Sequence, residues 1–191
     1  MSDEVTIPPR IALTGGIGSG KSYVCACLAR RGIEVYDCDA AAKRLMRTSE
    51  SLKEQLSALV GPHVYVGDRL EKAVMARFMM QSEAHTAQVN AIVHPAVARD
   101  FLASGLRWME CAILFESGFD KYVDRVVCVT APLETRISRV MRRDGIPRER
   151  VLEWMAKQWP QDEVLRRSHY EVVNDGCRDV DAQVEQLLRR L

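Results

Sequence analysis

Eight residues near the N-terminus, Gly15-Gly16-Ile17-Gly18-Ser19-Gly20-Lys21-Ser22, put four glycines into six positions ahead of a lysine and a serine. A stretch with so few side chains cannot fill a core, so it reads as a turn whose backbone is the working surface. Its flanks fix the setting. Arg10-Ile11-Ala12-Leu13-Thr14 reads as a short buried strand entering the turn. Tyr23-Val24-Cys25-Ala26-Cys27-Leu28-Ala29 reads as a helix leaving it, with Gly32 as a natural C-terminal cap. The octet fits G-x-x-x-x-G-K-[ST], the phosphate-binding P-loop, in the strand–loop–helix order that the motif requires. Glycines let successive N–H groups converge on one anion, and the helix start adds the positive end of its dipole. The expected ligand is a nucleoside triphosphate held by Gly16, Gly18, Ser19, Gly20, Lys21, Ser22 and Tyr23. Lys21 is expected to reach the β- and γ-phosphates, and the Ser22 hydroxyl to ligate Mg²⁺.

At 191 residues the chain is expected to be a single domain, with room for a small insertion. Its 47% hydrophobic and 28% charged residues are ordinary globular values and argue against disorder. A formal charge of +1 gives no general reason to expect nucleic acid or an acidic membrane as partner. The six cysteines, at 25, 27, 38, 111, 128 and 177, hold no second pair at zinc spacing and read as reduced thiols. The acidic, polar N-terminus does not read as a signal peptide, and no apolar run reaches membrane-spanning length. The expected setting is cytoplasmic.

Further along, Ile33 to Asp37 reads as a second strand, followed by Asp37-Cys38-Asp39 and a helix from Ala40 to Arg47. Asp39 can cap that helix or serve chemistry at the ligand edge of the sheet. Residues 50–60 and 71–80 read as helices on either side of a short extended segment, 64–70. Residues 83–92 and 96–104 read as two more, separated by a break at His94-Pro95. This region, about 40–105, is expected to be a helical substrate-binding insertion, although it could equally be scaffold. Trp108 to Phe115, Arg125 to Thr130 and Tyr170 to Asn174 supply three more strands. Helices are expected at 132–143 and 148–159, and from Asp179 onward. Alternating strands and helices predict a doubly wound, five-stranded parallel sheet.

A P-loop alone does not separate a kinase from a switch GTPase or a motor ATPase. The guanine-reading N-K-x-D and the D-x-x-G of switch proteins are both absent. Arg136, Arg139 and Arg143 recur at three- and four-residue spacing ahead of a Gly-Ile-Pro turn. Such a row can close over a transferring phosphoryl group as a lid, at about 136–160, or be a solvated basic face offset by Glu134, Asp144 and Glu149. A small-molecule kinase also needs a carboxylate beside the acceptor hydroxyl; Asp39 suits that position, and Asp37 could share it or help organise the magnesium shell. His94 reads either as a substrate contact or as a helix-junction histidine. Glu116 reads as the end of the third strand, and Trp154 and Trp159 as packing residues.

Several segments together resemble one family, the dephospho-coenzyme A kinases, over essentially the whole chain. Leu13 to Ser22 is similar to the family's P-loop, Asp37-Cys38-Asp39 to its Asp-Ala-Asp segment, and Asn90 to Pro95 to its Asn-x-Ile-x-His-Pro motif. Leu114-Phe115-Glu116, Arg139, Arg143-Asp144-Gly145, Gln158 and Asn174-Asp175-Gly176 also find counterparts. The resemblance implies a P-loop kinase of the nucleotide-kinase type. Its activity would be ATP- and Mg²⁺-dependent phosphorylation of the ribose 3′-hydroxyl of dephospho-coenzyme A, the last step of coenzyme A synthesis. It implies Asp39 as base, Lys21, Arg139 and Arg143 at the transferred group, and Lys72 and His94 as substrate contacts. The chain departs from the family pattern at Tyr23, Lys72, Glu110, Ala112 and Arg136, where threonine, arginine, aspartate, proline and glutamine are usual. Another P-loop kinase acting on a nucleoside or nucleotide, or a nucleotide-dependent switch, are the competing readings.

Overall fold

The computed structural model describes residues 8–191; the N-terminal residues on which the signal-peptide expectation rests lie outside them. Two compact units emerge. One comprises residues 8–36 and Leu106–Leu191, and the other Asp37–Gly105.

The first unit is built on a five-stranded parallel sheet. Its strands are β1 (Ile11–Thr14), β2 (Val35–Asp37), β5 (Trp108–Glu110), β6 (Arg125–Thr130) and β7 (Tyr170–Val173), in the spatial order β2-β5-β1-β6-β7. β1 is central, parallel to β5 on one side and to β6 on the other. The strand order therefore reverses at β1, and the crevice past the carboxyl end of such a strand is where open α/β sheets bind ligands. The octet leaves β1 at that point.

Burial on both faces explains the unbroken apolar character of β1 and β6. On one face Ile11, Leu13, Val127, Val129 and Val172 pack with Val24, Cys27 and Leu28 of α1 (Lys21–Ala29) and Val180, Val184 and Leu187 of α9 (Val180–Leu188). The three- and four-residue spacing of those helical positions makes the stripe a helix needs against a sheet. Asp179 caps α9 as expected, accepting from Ala182 N at 3.1 Å. Between β6 and β7 run α6 (Leu133–Asp144), α7 (Arg148–Met155) and α8 (Gln161–Arg166). α7 ends short of Trp159, and α8 is a further helix beyond those expected.

β5 is shorter than its apolar run suggests. It ends at Glu110, and after Cys111 N donates to Leu13 O the chain coils into turns. Ser117 N donates to Ile113 O and Phe119 N to Leu114 O, with Leu114 fully buried. The apolar residues after Glu110 thus fill core from a turn, and Glu116 belongs to that turn rather than to a strand end.

The second unit is helical: α2 (Cys38–Thr48), α3 (Glu50–Val60), α4 (Lys72–Met79) and α5 (Glu83–Ser104), with a two-stranded hairpin of β3 (Tyr65–Val66) and β4 (Arg69–Leu70). The expected break at His94-Pro95 is absent; α5 runs through it for 22 residues. Val89, Val93, Val97 and Phe101 bury one face at four-residue spacing. Ala91 and Pro95 lie on the exposed side, so the carbonyl that proline leaves unpaired faces water. Among the described residues no helix is long and apolar enough to cross a membrane.

Candidate active site

The octet forms a loop that ends where α1 begins. Lys21, the first residue of α1, folds its ammonium back over the loop. It donates to Gly15 O at 2.8 Å and stands 3.6 Å from the Glu110 carboxylate at the end of β5. Both side chains are largely buried, so their attraction is less screened than that of a surface pair. Gly20 takes φ 97° as the N-cap of α1, and a Cβ there would collide with the Asn174 amide nitrogen. Glycine is required at this position twice over, by conformation and by space.

Two side chains from elsewhere hold the far half of the loop. Asn174, buried just past β7, donates from Nδ2 to Ser19 O at 3.0 Å. Arg139 of α6 donates to Ser19 O at 3.3 Å, and to Asn174 through both its backbone carbonyl (3.0 Å) and its Oδ1 (3.1 Å). Ser19 itself is fully buried, and its hydroxyl finds no partner among the described residues.

The near half is held through one peptide residue. Ile17 N donates to Gln158 Oε1 at 2.8 Å, and Ile17 O accepts from Arg136 Nε at 3.0 Å. The Ile17 side chain packs with Ile137, Val140 and Val151, alongside Ile146, Trp154 and Met155. Trp159, next to Gln158, donates its backbone N–H to Glu116 Oε1 at 2.9 Å, and its ring lies under the Arg167 guanidinium. Trp154 and Trp159 thus pack, as expected, and Glu116 spends one oxygen on fixing the 158–159 segment.

The arginines of α6 do not form one exposed row. Arg136 is buried, 8% exposed, with its guanidinium against the loop. Arg139 is half-buried on the loop carbonyls, and Arg143 is exposed and paired with Asp144 at 2.7 and 2.8 Å. The first residue of the row turns inward because its neighbours Ile137 and Val140 face the α6–α7 core.

Ser22 and Tyr23 lie exposed in the first turn of α1. Asp39, Lys72 and His94 all belong to the second unit. The α2 cap is Asp37, whose carboxylate accepts from Ala40 N at 2.8 Å, so the capping role considered for Asp39 falls to Asp37 instead. Asp39 sits exposed in the first helical turn. Lys72 is the exposed first residue of α4, and His94 is half-buried within α5. Burial holds the His94 imidazole below its ordinary value of 6.5. Residue spacing does not reveal that Asn174, Gln158 and Arg136 hold the loop. For Asn174 one signal exists, a polar residue just past the end of a ligand-edge strand.

A sheet with its strand order reversing at a P-loop, and a helix after β6 returning arginines to that loop, defines a P-loop kinase. The same fold is found in shikimate kinase from Acinetobacter baumannii, which superposes with a TM-score of 0.58 at 17% identity, over 95% of this chain and 92% of that one. The family model described as dephospho-CoA kinase matches residues 10–179. A dephospho-CoA kinase of Bacteroides fragilis is 37% identical over 186 residues, covering 94% of this chain and 91% of its own. The crystal structure of TT1252 from Thermus thermophilus aligns with a TM-score of 0.81 at 35% identity, over 95% of this chain and 96% of that one. The chain belongs to the dephospho-CoA kinase family.

Proposed function

We propose that this protein transfers the γ-phosphoryl group of ATP to the ribose 3′-hydroxyl of dephospho-coenzyme A, giving coenzyme A and ADP. The observation that carries the reading is Lys21, drawn across a fully braced P-loop in a chain of this family. Phosphate oxygens arriving at the loop would take the ammonium from Gly15 O, and the loop N–H groups would face the same anion. In the transfer, the bond from the γ-phosphorus to the β–γ bridging oxygen breaks. A bond to the acceptor 3′-oxygen forms, and the hydroxyl proton passes to a carboxylate.

Asp39 is the base in this reading, Asp37 being occupied as a cap. Lys72 and His94 contact the acceptor, and Arg139 and Arg143 neutralise charge on the transferring group, with 136–160 acting as the lid. The exposed Ser22 hydroxyl and the Glu110 carboxylate are hard oxygen donors of the kind that suits Mg²⁺. No group of three or more His, Cys, Asp or Glu among the described residues gathers to hold a metal, so the ion would rest mainly on phosphate oxygens. Bound there, Mg²⁺ would shield charge on the β- and γ-phosphates. The setting is the cytoplasm, with a small molecule as the partner.

Coupled ADP release with ATP, Mg²⁺ and an acceptor panel tests the proposal. Dephospho-coenzyme A should stimulate release strongly, with coenzyme A detected by mass. Equal or greater stimulation by adenosine or a nucleoside monophosphate would assign another acceptor.

A further inference from the structure

Arg136 touches the loop, yet neither the motif nor the proposed chemistry uses it. It is 8% exposed, yet among the described residues no carboxylate pairs with it. Nε donates to Ile17 O at 3.0 Å, and Nη1 lies 3.5 Å from Gln161 Oε1. Its Nη2 comes within 2.3 Å of a Cβ built on Gly16. Its backbone carbonyl comes within 2.5 Å of a Cβ built on Gly18. Two glycines of the loop are thus in van der Waals contact with this one arginine, through its side chain and its main chain.

A buried guanidinium keeps its charge at neutral pH and costs free energy unless an anion compensates it. Arg136 meets one carbonyl oxygen at Nε and one amide oxygen near Nη1, neutral acceptors that do not cancel its charge. We propose that Arg136 is a positioning residue for the triphosphate: it braces the loop at Ile17 and sets an uncompensated positive charge behind it, which a bound polyphosphate neutralises. The proposal rests on the reading that the loop holds ATP. Charge behind the loop attracts phosphate through the low-dielectric loop backbone without occupying the phosphate site.

The test pairs Arg136→Gln, which is neutral but can still donate to Ile17 O, with Arg136→Lys, which keeps the charge and loses the planar fork. Calorimetric binding of ATP and of ADP, without acceptor, is measured beside thermal unfolding of the nucleotide-free proteins. The expected result for Arg136→Gln is an unfolding temperature unchanged or raised, because an unpaired buried charge is gone. ATP binding should weaken by about tenfold, ADP binding by less, and turnover should show the loss in KM for ATP more than in kcat. Arg136→Lys should regain most of the ATP affinity.

Binding of ATP by Arg136→Gln within about twofold of wild type overturns the proposal. So does an equal loss for ATP and ADP accompanied by a lower unfolding temperature, which marks a purely mechanical brace. If Arg136→Gln does not fold, Arg136→Lys decides: affinity near wild type supports the charge role, and a tenfold loss refutes it. Wild-type protein that binds no ATP would overturn the reading of the loop itself, and this proposal with it.

Discussion

Arg139 and Asn174 grip each other twice, through the asparagine carbonyl at 3.0 Å and its side-chain oxygen at 3.1 Å, and both donate to Ser19 O. A helix after β6 and the turn after β7 thereby share one P-loop carbonyl. The amide of Asn174 is the joint, since it accepts from the arginine and donates to the loop. Asn174→Ala should cost about 1–3 kcal/mol, the range for a buried partner left unsatisfied. Urea unfolding with and without ATP should show the larger loss in the presence of nucleotide. An equal loss in both conditions would mean the joint supports the sheet and not the loop.

Gly20 carries a sharper expectation. Its φ of 97° and the Asn174 amide on its open side leave no room for a methyl group. Gly20→Ala should displace Asn174 and abolish measurable ATP binding, while the far-UV circular dichroism stays that of a folded α/β protein. Retained ATP affinity would show that the loop can relax.

Lys21 and Asp39 should fail differently. Lys21→Ala is expected to lower kcat by about 10²–10³-fold, as the loss of one charged stabiliser of the transferring group does. Asp39→Asn should lower kcat by about 10²–10⁴-fold with ATP affinity unchanged, since a base acts on the acceptor. The helix beneath it should hold, because the cap is Asp37. Asp37→Ala, in contrast, should cost about 1 kcal/mol of stability. Near-normal turnover by Asp39→Asn would remove it from the mechanism.

His94 links stability to pH. Desolvation lowers its folded value beneath 6.5, so below pH 6.5 the unfolded chain binds a proton that folded His94 refuses. Stability from this residue is therefore full above pH 6.5 and falls as pH drops from there toward the folded value. The carboxylates of Asp144, Asp175 and Asp181, held low by their arginine or backbone donors, stay ionised through that window. Urea unfolding at pH 7.5 and 5.5 should show a drop that His94→Gln reduces. An unchanged drop would place the proton elsewhere.

The sheet is legible because its central strands β1 and β6 are largely apolar on both faces and the P-loop is written in consecutive residues. What the sequence hides is non-local or ambiguous in period. The apolar run from Trp108 reads as one strand although Leu114 fills the core from a turn, because periodicity does not distinguish the two. Pro95 reads as a break, yet the face of α5 opposite the buried valines can lose a hydrogen bond to water at little cost. Asp37 and Asp39 are both good caps by composition, and only backbone geometry chooses between them. Arg136 reads as one of a row, either a lid over the phosphoryl group or a solvated face, and neither reading buries it, because arginine is seldom buried.

The peptide of Ile17 is held by Arg136 and Gln158, 119 and 141 residues further along, and Ser19 O by Asn174, 155 residues further along. The octet is thus synthesised long before the residues that give it its shape. A nascent chain has its motif well before it has a receptor, and affinity for nucleotide should arrive abruptly once the segment carrying Asn174 has left the ribosome. The same order warns against transplanting the octet alone into another scaffold, since its mould is made by residues more than a hundred positions away.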